Sequence, residues 1–192
     1  MHSATTVFSD STCAEVTYVS MGSDGDWHCK TQECDSAGKS QDPYFYDISC
    51  VSDYSELVSS MSSYLVVRGY IEDDSCVTEN SVKVFLADGK CHPSEDSSFT
   101  ATLNTDGSGV LVLFEYLKCE GGEDKITLSK DELAAQSCIG NVKYAAHNAA
   151  TTTTTTPAAA TATPSTTSSG SGLPLASFLL AAILGGLAVL FL

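Results

Sequence analysis

The chain has 192 residues, with 24 acidic and nine basic side chains, a formal charge of −15 and eight cysteines. Such a balance offers no basic stripe for nucleic acid and no attraction to an anionic lipid surface. Every charged residue lies within residues 1–143, so the last 49 residues carry none. The length allows one ordinary domain with appendages.

In chain order, the opening "MHSATTVFSDSTC" lacks the apolar core of a secretory signal peptide. The reading adopted below requires entry into the secretory pathway, so the expectation is that the start of the coding sequence is missing. Strand signals follow in "AEVTYVS", "YFYDISC", "SYLVVRGY", "VKVFLADG", "SFTATLN" and "GVLVLFEY", all rich in Val, Tyr, Phe and Thr. In "SFTATLN", Phe99, Ala101 and Leu103 fall on one face and Thr100 and Thr102 on the other, the alternation of a half-buried antiparallel strand. "NTDGSG" supplies the Asp106-Gly107 turn of a hairpin leading into Val110–Phe114. "ADGKC" predicts a second turn at Asp88-Gly89.

Two short helices are predicted. Asp53 with Glu56 in "DYSELVSSM", and Ser129 with Glu132 in "SKDELAAQ", both fit a capping box. The fold class is therefore mainly β: a small disulfide-stapled antiparallel β-rich domain with short helices, plus a C-terminal helix of transmembrane length. Three regions divide the chain: a cysteine-rich head over 1–147, a stalk over 148–172 and a hydrophobic tail over 173–192.

The even cysteine count predicts a disulfide framework over Cys13, Cys29, Cys34, Cys50, Cys76, Cys91, Cys119 and Cys138. An internal echo runs through "VFSDSTC", "YIEDDSC" and "LFEYLKC", each an apolar or aromatic start with a cysteine a few residues on. The next cysteines follow 16, 15 and 19 residues later, and Cys34 and Cys50 are 16 apart. Of the many connectivities eight cysteines allow, the one this spacing suggests joins chain neighbours: Cys13–Cys29, Cys34–Cys50, Cys76–Cys91 and Cys119–Cys138.

The stretch "VKVFLADGKCHPSEDSSFTATLNTDGSGVLVLFEYLKC", with the upstream "YLVVRGYIEDDSC", resembles cysteine-rich ectodomains of secreted and membrane proteins in oomycetes such as Phytophthora. In that group an "ADG-C-H" step is followed by an "F-A-T" strand, a "DG" turn and a further cysteine. The resemblance spans residues 5–145. It implies a surface ectodomain, which in some members precedes a tyrosine-kinase-like kinase domain. No kinase segment is present in this sequence, and no catalytic residue carries over. Elicitin-like GPI proteins share the order of head, stalk and tail, but their helical six-cysteine domain does not match this pattern.

The stalk is almost purely Thr, Ala, Ser, Pro and Gly, too poor in apolar area to offset its ordering entropy. Its composition is that of an O-glycosylated stalk, with Thr151, Thr152, Thr153, Thr154, Thr155 and Thr156 as the expected acceptors. The alternative is a plain flexible linker. No N-x-S/T sequon occurs. Leu173–Leu192 has the length of a membrane-spanning helix, about 30 Å. Small residues before it match a GPI-attachment signal, with Ser165, Ser168, Ser169 and Gly170 as the attachment region. A retained span is the second reading and a cytosolic tail anchor the third.

Catalytic motifs are missing: there is no G-x-S-x-G, H-E-x-x-H or Walker loop. A zinc site from His28, Cys29, Cys34, Cys91 and His92 lacks the paired spacing that tetrahedral sites favour, so disulfides are preferred. "SDGDW" and "EDDS" do not fit a calcium loop, and Trp27 reads as core packing before sugar stacking. The sequence thus predicts no enzyme, no catalytic residue, no metal and no cofactor. It points to a cell-surface glycoprotein, anchored at the plasma membrane, with a structural, adhesive or recognition role. Its partners would be the membrane, through the tail, and an unknown surface ligand or cell-wall component, with no nucleic acid. A polysaccharide-active wall enzyme and a receptor-like or decoy ectodomain are the alternatives.

Overall fold

The computed structural model describes residues 1–22, 29–37, 44–72, 75–95 and 97–148. The stalk from residue 149 onward, the tail, the O-glycosylation and GPI positions, Trp27 and His28 lie outside the described residues.

Among the described residues are eleven strands, one short α-helix and a 3-10 turn at Leu117–Cys119: β1 (His2–Phe8), β2 (Val16–Gly22), β3 (Gln32–Ala37), β4 (Tyr44–Val51), β5 (Ser63–Tyr70), β6 (Glu79–Leu86), β7 (Asp88–Ser94), β8 (Ser97–Leu103), β9 (Gly109–Tyr116), β10 (Glu120–Leu128), α1 (Lys130–Ala135) and β11 (Val142–Asn148). They form a seven-stranded sheet, in the order β11-β5-β6-β2-β1-β4-β3, and a four-stranded sheet, in the order β10-β9-β8-β7. All strand pairs are antiparallel. The head is mainly β, as its sequence predicts. Among the described residues no helix is long and apolar enough to cross a membrane.

Strand alternation explains the core. On the inner face of the large sheet, Val7, Tyr18, Leu65 and Phe85 meet Phe99, Ala101, Leu111 and Leu128 of the small sheet. Phe99 is fully buried and packs edge-on against Phe85, with ring centroids 4.9 Å apart. The intervening residues Ala4, Val19, Met21, Val66, Val82 and Val84 point outward and are covered by Val58 and Met61. With both faces buried, the central strands read as continuous apolar runs rather than as clean alternation.

That cover, residues 53–61, is a run of turns and not the predicted first helix. The Asp53 carboxylate accepts from the Ser55 amide, two residues on, the bond an N-cap makes, but only turns follow it. The Ser59 hydroxyl donates back to the Glu56 carbonyl and competes with helical bonding. Arg68 ties the cover to the sheet. It pairs with Glu79 at 2.6 Å, donates to the Tyr54 hydroxyl at 3.1 Å and sits over the Tyr54 ring. The second predicted helix forms as α1, with both halves of the Ser129/Glu132 capping box in place.

The β8–β9 hairpin turns at Asp106-Gly107 as predicted, with Gly107 at φ +89° and the Asp106 carboxylate accepting from the Ser108 amide. The second predicted turn is different. Gly89 has a positive φ, but it lies inside β7, where the register against β8 shifts between Asp88 and Cys91. It forms a bulge rather than a reversal. The chain passes between the sheets one residue earlier, at buried Ala87, whose amide donates to the Ser63 carbonyl at 2.9 Å.

All eight cysteines are paired, but with partners other than those the spacing suggests. The bridges are Cys13–Cys34, Cys29–Cys50, Cys76–Cys138 and Cys91–Cys119. Sequence neighbours are not strand neighbours here. β1 lies between β2 and β4, so the β1–β2 loop carrying Cys13 reaches β3, where Cys34 sits. The echo is real in another respect. Cys13, Cys76 and Cys119, the three cysteines that end it, all adopt positive φ shortly after a strand ends.

Candidate functional site

The two sheets do not close on each other along their whole length. A cavity of about 240 Å³ lies between them, walled by Val67 of β5, Phe85 of β6, Leu111 and Leu113 of β9 and Ile126 of β10. Tyr18, Lys83, Ser94, Glu95 and Ser97 supply its polar lining. Lys83 stands opposite Val67 and Ser20 and two residues from Phe85, which places it on the inner face. Glu95 sits in the β7–β8 turn, at φ +46°. Burial pushes the Tyr18 hydroxyl well above its usual pKa, and the Glu95 carboxylate adds to the shift. A side-chain hydrogen bond with Ser20 tempers it.

A second constellation lies on β7. His92 is buried against Phe99, and its Nε2 lies 2.8 Å from Asp88 Oδ1. Burial opposes ionisation of Asp88, but the Lys90 amide and the His92 ring outweigh it and hold the carboxyl below its ordinary value. Cys91, between them in sequence, is held by its bridge to Cys119. The pair is a structural clamp at the sheet edge.

A third lies across the β1–β4 ladder, where Thr6 and Asp47 are direct register partners. Thr6 Oγ1 and Asp47 Oδ1 are both buried without a hydrogen-bond partner. Burial raises the Asp47 carboxyl above its usual pKa, and the nearby Thr6 hydroxyl only partly offsets this. An open groove of about 560 Å³, lined by Leu103, Asp106, Lys130, Leu133 and Asn148 among others, adjoins the end of β11.

Sequence reasoning named the cysteines and missed the cavity. No motif marks it, because its residues come from seven strands and the β7–β8 turn. The one available signal is Lys83, a cation in the apolar run "VKVFL". The zinc reading fails on the sulfur chemistry. Cys29, Cys34 and Cys91 are each consumed in disulfides, and His92 is engaged by Asp88. Compared with known protein families, with characterised proteins and with solved structures, the chain matches none.

Proposed function

We propose that the chain is a membrane-anchored cell-surface glycoprotein. Its disulfide-stapled head serves a structural, adhesive or recognition role at the surface and carries no catalytic chemistry. The observation that supports this most is the pairing of all eight cysteines, since four bridges form and persist in oxidising compartments. Two sequence features agree with it: the Thr-rich composition after the head and the uncharged final 20 residues.

The test is surface biotinylation of intact cells making the native protein, followed by phospholipase treatment specific for GPI anchors. The reading expects labelling from outside and release into the medium. Labelling without release moves the anchor to a retained span. A protein shielded from the label overturns the surface role. Incubating the purified head with wall glucans separates the enzyme alternative, for which hydrolysis is required.

A further inference from the structure

We propose that the inter-sheet cavity is a binding site for a small zwitterion with an apolar body, of the class of a free hydrophobic α-amino acid. This goes beyond the surface role proposed above and does not depend on the anchor.

Size comes first. A dry apolar cavity of about 150 Å³ accepts benzene. The cavity here, about 240 Å³, holds a ring or branched aliphatic group with room for a short polar head. Its walls suit that body: Val67, Phe85, Leu111, Leu113 and Ile126 offer no polar atom except backbone.

Charge then selects the head. Lys83 and Glu95 are exposed residues of the cavity lining. Lys83 makes no ion pair among the described residues, and neither does Glu95. Both line the cavity, so two opposite charges share one site while standing more than 4 Å apart. A ligand bearing one charge satisfies one of them and confronts the other. A ligand bearing both places its carboxylate at Lys83 and its ammonium at Glu95. Being neutral overall, it is also indifferent to the negative field of the head.

The buried Tyr18 hydroxyl is the third element. Tyr18 as a residue is 3% exposed and lines the cavity, and its hydroxyl is influenced by Glu95, so it faces the same end as the charged rim. The Tyr18 hydroxyl, bonded to Ser20, has capacity for one further hydrogen bond, which a ligand ammonium or carboxylate can fill.

The experiment is methyl NMR on the oxidised full chain in detergent micelles, following Ile126, Leu111, Leu113 and Val67. The probes are L-phenylalanine, 3-phenylpropionate, phenethylamine and 2-phenylethanol. L-phenylalanine is expected to shift these methyls saturably, with each singly charged or neutral analogue about ten-fold weaker or more. Lys83→Gln and Glu95→Gln should each weaken L-phenylalanine by about ten-fold while leaving the remaining methyl spectrum unchanged. Equal response to all four probes, tighter binding of either singly charged analogue, or no saturable shift up to about 10 mM overturns the proposal.

Discussion

Cys76 and Cys138 are bonded to each other across 62 residues, which fastens the β5–β6 connection to the approach into β11. β11 is an edge strand, held by β5 alone within the sheet, and this bridge is its second tether. Buried Cys76 also accepts, through its carbonyl, a hydrogen bond from Lys143 of β11. The bridge encloses a far longer loop than Cys13–Cys34, which spans 21 residues.

Loop entropy turns that difference into a ranking. In the chain-entropy description, removing the long bridge costs about 4 kcal/mol and removing the short one about 3 kcal/mol. Replacing both Cys76 and Cys138 with Ser should therefore lower stability more than replacing both Cys13 and Cys34. Guanidinium unfolding without reductant measures this. An equal or reversed order would show that strand packing, and not loop closure, sets the contribution.

Phe99 joins the two sheets by contacting Tyr18, Phe85 and His92 at once. Phe99→Ala should cost about 3–5 kcal/mol, through lost burial and the cavity left behind. The same unfolding curves report it. A cost under about 1 kcal/mol would mean that the sheets do not depend on this contact.

Asp47 gives a pH dependence of defined sign. Burial holds its folded pKa above the unfolded value. Its favourable contribution is thus complete below the unfolded carboxylate pKa and is lost as pH rises through the raised folded pKa. At neutral pH the buried charge is a cost. Asp47→Asn removes that cost and offers an amide donor to Thr6 Oγ1. Because Asp47 is partly exposed, the expected gain at pH 7 is about 0.5–1 kcal/mol, fading near pH 3. Stability measured at both pH values checks it. A loss at pH 7 would contradict the unpaired placement.

The central strands were readable because burial on both faces demanded apolar, β-branched runs. "SYLVVRGY" coincides with β5 and "GVLVLFEY" with β9. The strands that escaped notice lie largely at sheet edges. β3 reads "QECDSA", β10 reads "EGGEDKITL", and β7 contains Pro93. Charge and proline are how exposed edges avoid further pairing, and they erase the pattern that identifies a strand. β1, though central, is disguised by its small and hydroxyl-bearing residues, Ser3, Ala4, Thr5 and Thr6. Disulfide partners were not legible because spacing records chain order, whereas the crossovers β2–β6 and β1–β4 decide which loops meet. The cavity was invisible for the same reason: Lys83 and Glu95 are adjacent to it only once two sheets have faced each other.

The most direct test of the oxidised, two-sheet head is non-reducing peptide mapping of protein taken from the cells that make it, with free thiols alkylated at lysis. The account predicts linked peptides for Cys13–Cys34, Cys29–Cys50, Cys76–Cys138 and Cys91–Cys119, and no alkylated cysteine. Alkylation at these positions, or bridges between chain neighbours such as Cys13 and Cys29, would contradict it.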